Sequence, residues 1–172
     1  MTRVPAIVPS VCDQETLHFL LDVASKEVFR MMVGCELQPA AEAHCKAAEF
    51  TAMVGLAGEL CGVLSVRCSQ SSASQVAALM LDLAPETAAE HAWDALGELA
   101  NMIAGNFKNK LNGASDRCML SIPTVITGAD YTFRSVDVAS PPWNCWSRWP
   151  ILPAATESSL WMQNLGRSRT HS

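Results

Sequence analysis

Apolar positions recur every three to four residues in two long stretches of the chain and cluster in shorter runs between and after them. From Asp13 to about Gly34, "DQETLHFLLDVASKEVFRMMVG" sets Leu17, Leu20, Leu21, Ala24, Val28, Met31 and Met32 near helical spacing, with acids early and a glycine closing, which predicts an amphipathic helix. The Met31–Met32 pair and Phe29 read as packing residues. The following "CELQPAAEAHCKAA" has no clear period and is expected to be a loop or a sheet edge. "EFTAMVGLAG" and "ELCGVLSVRCS" are rich in strand formers around Ala57, Gly58 and Glu59, the pattern of a hairpin. Residues 70 to 83 open with capping serines and turn apolar at helical spacing, predicting a short helix. Pro85 and Glu86 then begin a second long helix, with Glu86 and Glu90 at its positive end and Lys108 and Lys110 at its negative end before Asn112 and Gly113. Beyond it, "DRCMLSIPTVITGADYTFRSVDV" predicts two strands, about 117 to 127 and 130 to 138, turning at Gly128.

The order helix, hairpin, short helix, helix, hairpin is a repeated unit with little residue identity behind it. It predicts an α+β fold: two long helices packed on an antiparallel sheet, with a pseudo-twofold repeat. A chain of 172 residues that is 49% hydrophobic and 17% charged fits one such core. We assign that domain to residues 1–139. Residues 140–172 differ in kind, with four of the five tryptophans and four of the nine prolines, and the closing "GRSRTHS" is expected to be disordered.

Charge and cysteine content narrow the function classes. The net charge is −5 and the 12 Lys and Arg are scattered, so nothing resembles the basic stripe that nucleic acid requires. No signal-like apolar run opens the chain, and the longest apolar stretch, "FTAMVGLAGELCGVLSV", is broken by Glu59 and three glycines, so no membrane association and a cytoplasmic location are expected. Seven cysteines without a CxxC pair read as reduced core thiols. Cys35, His44 and Cys45 are zinc-ligand types at a spacing that matches no finger or ribbon, and no metal site is expected. His18 and His44 read as ordinary surface or boundary residues, and no GxSxG elbow or other nucleophile context is present.

The chemistry concentrates in "HAWDALGELANMIAGNFKNKL", residues 91 to 111. At about 100° per residue, Leu96, Leu99, Ile103 and Phe107 fall on one arc, and Asp94, Glu98, Asn101, Gly105, Lys108 and Asn112 on the opposite one. A solvated face accounts for many such polar arcs. Here Asn101 and Gly105 are weak helix formers, glycine costing about 1 kcal/mol relative to alanine. A flat stripe on which another protein lies close gives both a reason, with Gly105 at the contact and Asn101 reaching outward.

This helix resembles the signature helix of the CheC/CheX/FliY phosphatases, which remove the phosphoryl group from phosphorylated chemotaxis response regulators. Their pattern is Asp or Ser, three residues, Glu, two residues, Asn, then about twenty-two residues to a Pro. In this chain Asp94, Glu98 and Asn101 are followed by twenty-one residues and Pro123, in "LSIPTVITG". The first helix holds Glu27 followed by Arg30 at the corresponding spacing and so lacks the amide, which is similar to CheX, with one active helix, rather than to CheC.

The resemblance implies a phosphatase acting on a phosphorylated CheY-like response regulator. Asn101 would hold the attacking water, Glu98 would accept a hydrogen bond from the regulator's lysine, Asp94 would contribute binding and Pro123 would shape the chain beside the helix. It implies no cofactor in this chain and a Mg²⁺ carried by the regulator. A second copy of the chain is a further candidate partner, as a homodimer. Two rival readings stand beside it: a non-catalytic docking module that binds a response regulator or a flagellar switch component, and a structural dimer unit.

Overall fold

A computed structural model of the chain describes residues 14–39, 49–58, 60–111, 118–128, 131, 147–148 and 159–163. The first helix, α1, runs Gln14–Val28 and continues as a π turn over Phe29–Val33, closed by Gly34 in the left-handed conformation at φ 71°. The wider turn moves the buried face by one position. Phe29 and Val33 are buried, Met32 is half-buried, and Met31, expected in the core, is 65% exposed.

The segment after α1 contributes a two-residue strand, β1 (Gln38–Pro39), and the His44–Cys45 half of the zinc-ligand set lies outside the described residues. Strands β2 (Phe50–Gly58) and β3 (Gly62–Cys68) form the expected hairpin, with Ala52 opposite Val66 and Val54 opposite Leu64, all four buried under the helices. On the other face of the sheet the Tyr131 ring lies under the Arg67 guanidinium, and its hydroxyl is hydrogen-bonded with that of Thr51. Helix α2 (Gln70–Leu81) starts at Ser69, whose hydroxyl accepts from the Ser72 N–H at 3.2 Å, and Glu49 Oε2 accepts from the Gln70 N–H at 2.8 Å.

The second long helix is broken near its start. Helix α3 (Pro85–Ala88) passes through a 3₁₀ turn, Ala89–His91, into α4 (Ala92–Lys110). Small residues, Ala77, Ala78, Ala88 and Ala95, pack where α2 meets these pieces. Helix α4 lies on the sheet between α1 and α2, with Leu96, Leu99, Ile103 and Phe107 fully buried as their spacing predicts.

The strand expected over 117–127 is interrupted. Strand β4 (Cys118–Leu120) pairs with Leu56–Gly58 and β5 (Thr124–Thr127) with Phe50–Met53, on the same edge of β2. Leu120 faces Leu56 and Thr124 faces Met53, so three residues, Ser121, Ile122 and Pro123, stand opposite two, Val54 and Gly55. That is a one-residue bulge, and Pro123 is tolerated there because a bulge does not demand its missing N–H. The chain turns at Gly128 as expected, at φ 139°. The rest of the predicted 130–138 strand, Tyr131 apart, and the closing "GRSRTHS" lie outside the described residues.

Two short strands follow that hydropathy alone does not predict. Strand β6 (Ser147–Arg148) pairs with β1, and β7 (Ser159–Gln163) pairs with β3 along Val63–Arg67. The main sheet is antiparallel throughout, in the order β4 and β5, β2, β3, β7. This is the α+β architecture expected. No helix among the described residues is long and apolar enough to cross a membrane.

The α1–α4 contact is closed by charge. Lys110 Nζ lies 2.7 Å from Glu27 Oε2, and Asn106 Nδ2 donates to the same oxygen at 2.9 Å and to the Ala24 carbonyl at 3.4 Å. The bonds from Lys110 and Asn106 hold the Glu27 carboxyl below its usual value of 4.5. A carboxyl lowered on folding stabilises the native state above its unfolded pKa and ceases to do so as pH falls through the folded one. Glu27→Gln is therefore expected to lower the urea midpoint at pH 7, with the gap to the native protein narrowing below pH 4.5. Paired urea titrations from pH 7 down to the acid limit check this.

Candidate functional site

The polar arc of α4 faces outward as its spacing predicts. Asp94 and Glu98 are exposed, and Asn101, Gly105 and Lys108 are half-buried; the side chain of Asn112 lies outside the described residues. Glu98 and Asn101 stand one turn apart, with Cβ atoms about 5–6 Å apart at that spacing. Among the described residues neither Asp94 nor Glu98 makes an ion pair, and the Asn101 amide has no side-chain hydrogen bond.

The contrast with Glu27 and Asn106 is direct. That carboxylate and carboxamide face each other across two helices, with their hydrogen-bonding capacity turned inward. Glu98 and Asn101 carry the same two groups on one helix with that capacity free. Such a pair offers acceptors to a cation and one donor with one acceptor to a water or an oxyanion.

Pro123 reaches this helix from the bulge. An added Cβ at Gly97 would lie 3.2 Å from Val125 Cγ2 and 3.8 Å from Pro123 Cβ, so the strand edge rests on the bare backbone of α4 one turn before Asn101. Gly97 is a positioning residue that the sequence reading missed. Its signal was the same as that of Gly105, a glycine in a helix interior, but its cause lies in a strand more than twenty residues away. Gly105 is the opposite case, with nothing within 4 Å of a Cβ built there, which leaves its outer surface open.

The bulge is itself held. The Ser121 N–H donates to the Gly55 carbonyl at 2.9 Å, and the Ser121 hydroxyl accepts from the Gly55 N–H at 2.8 Å and donates to the Ile122 carbonyl at 2.8 Å. At the start of α4, Trp93 is 56% exposed and borders a cleft of about 500 Å³ shared with Phe50, Val125, Thr127, Glu49, Gln70 and Gly128.

The family model described as "Chemotaxis phosphatase CheX" matches residues 50–142, which takes in the hairpin, α4 and the bulge. The chain belongs to the CheX chemotaxis phosphatase family. A chemotaxis protein from Desulfovibrio vulgaris Hildenborough is 26% identical with a TM-score of 0.55, over 66% of this chain and 76% of that one. A CheC-like superfamily protein from Shewanella sp. PV-4 shares the fold at TM-score 0.63 and 22% identity, over 83% of this chain and 93% of that one. So does CheX of Borrelia burgdorferi, crystallised in complex with CheY, BeF₃ and Mg²⁺, at TM-score 0.60 and 20% identity, over 84% and 96%. No curated protein matches the sequence.

Burial pushes the Cys35 thiol up to about 11 and that of Cys118 above its ordinary value, so both stay protonated at neutral pH. Among the described residues no cluster of three or more metal-ligand types is present.

The two glycines of α4 give opposite expectations. Gly97→Leu should destabilise by about 1–3 kcal/mol through overpacking against Val125 and Pro123. Gly105→Ala should stabilise by about 0.5–1 kcal/mol, since the helix gains propensity and nothing is displaced. Urea unfolding of the two variants measures both.

Proposed function

We propose that this chain hydrolyses the aspartyl phosphate of a CheY-like response regulator, with Asn101 positioning the attacking water and Glu98 fixing the regulator over it. The observation that carries the reading is the uncommitted Glu98 and Asn101 pair on the outward face of α4, with Pro123 seated beside it, in a chain of this family. The Borrelia relative crystallised with CheY, BeF₃ and Mg²⁺ supports a CheY-like partner.

The reaction joins water to the phosphorus and breaks the bond to the aspartyl oxygen, releasing inorganic phosphate and regenerating the carboxylate. Its chief demand is a water in line with that bond. The Asn101 amide holds such a water through one donor and one acceptor at fixed angle; being neutral, it works by position and not as a base. Glu98 accepts a charge-assisted hydrogen bond from the regulator's active-site lysine, which sets the helix over the acyl phosphate and excludes bulk water. Asp94, one turn earlier, adds attraction for the same cationic surface, and Gly105 with Lys108 extends the contact along the stripe. The Mg²⁺ such regulators require is held on the regulator.

The test follows the decay of a phosphorylated response regulator in Mg²⁺ buffer. The native chain is expected to shorten its lifetime, Asn101→Ala to lower kcat by about 10²-fold with affinity kept, and Glu98→Ala to act mainly on KM. Unchanged lifetime with the native chain bound to the phosphorylated form would reject hydrolysis and leave a docking module.

A further inference from the structure

Ile122 is 84% exposed, more than any other large apolar side chain among the described residues. An isolated exposed apolar residue on a loop calls for no explanation. Ile122 is different, because the fold builds its exposure. The extra residue of the bulge breaks the alternation that runs through β4, and the paired bonds between Ser121 and Gly55 fix the residue before it onto β2. The Ser121 hydroxyl also holds the Ile122 carbonyl, so the backbone at the tip is tied on one side by hydrogen bonds and on the other by the proline ring. Pro123 then seats on Gly97, which places Ile122 next to a point where the sheet edge meets the bare backbone of the Asn101 helix.

A second exposed apolar group completes the pattern. Trp93 immediately precedes Asp94 and shares its cleft with Val125, whose methyl also meets Gly97. Trp93 and the Gly97 contact therefore lie on the helix that carries Asp94 and Glu98, and Ile122 immediately precedes the proline of that contact. Apolar anchors of this kind beside charged groups are the composition of a transient interface, in which a few rigid side chains carry the affinity and charges set orientation.

We infer that Ile122, supported by Trp93, is the apolar anchor for the receiver domain of a response regulator. The occupant is chosen by complementarity: the surface pairs two free carboxylates with a projecting branched side chain, so it fits a partner with a cation beside an exposed apolar recess. This inference rests on the proposed dephosphorylation of such a regulator. Ile122 lies outside the water-positioning chemistry, so its removal weakens binding and leaves the bound-state rate alone.

The experiment titrates a fluorescent receiver domain, held in its phosphorylated-like state with BeF₃⁻ and Mg²⁺, with the full chain, and pairs this with steady-state dephosphorylation. Ile122→Ser is expected to raise Kd and KM about tenfold with kcat unchanged, and Ile122→Leu to restore most of the affinity. Phe19→Ser removes an equally large apolar group, 63% exposed, from α1 and is expected to bind as the native chain does. Native-like binding by Ile122→Ser, or equal weakening by Phe19→Ser, overturns the inference while the phosphatase reading stands. A native chain that binds no receiver overturns the phosphatase reading itself, and the anchor with it.

Discussion

Helix α4 meets the strand edge at residue 97, where the absence of a side chain lets Val125 and Pro123 come close. With any Cβ at that position the strand edge would meet it at Val125 and Pro123. The Val125 methyl would have to give by a few tenths of an ångström. The buried stripe of Leu96, Leu99, Ile103 and Phe107 sets the rotation of the helix, Gly97 sets its height over the sheet edge, and rotation and height together put Glu98 and Asn101 in solvent with Pro123 alongside.

The bulge turns sequence into geometry by parity. One inserted residue reverses which side chains face the helices, so β4 and β5 can share an edge of β2 while the segment between them projects outward. A glycine at 55 accommodates the Ser121 hydroxyl at close range, since a Cβ there would lie 3.4 Å from it. Small residues on two different elements, Gly55 and Gly97, thus hold opposite ends of the same three-residue projection. Stiffness at that point suits the proposed function, in which a partner is held at a fixed distance from a water.

The parts of the fold legible in the sequence are those governed by local periodicity. The α4 stripe, the β2–β3 hairpin, helix α2 and the Gly34 stop are set by neighbours within a turn or two, and each stands as the spacing implies, although the cap of α2 is Ser69 and not a serine of the 70–83 segment. The misses come from long-range pairing. The π turn that exposes Met31 changes the period without changing the composition. The bulge looks like an ordinary strand in hydropathy, because Ile122 has the residue type of a core position and the surface of a loop tip. Strand β7 sits among prolines and tryptophans and acquires its identity from β3. As for the site, the Asp94, Glu98, Asn101 spacing and Pro123 were readable because a single helix and a family pattern carry them. The role of Gly97 was not, because a glycine reports only that something comes close and not what.

The Glu27 cluster bears on why the first helix offers no outward pair of its own. The first helix has an acid, Glu27, at the spacing that corresponds to Glu98, but Val23 and Arg30 stand where the pattern has Asp or Ser and Asn. Yet that carboxylate is already saturated by Lys110 and Asn106 of the other half. An asparagine at position 30 would leave that acid engaged. The first helix braces the helix that carries the outward pair, and its own acid is committed to that bond.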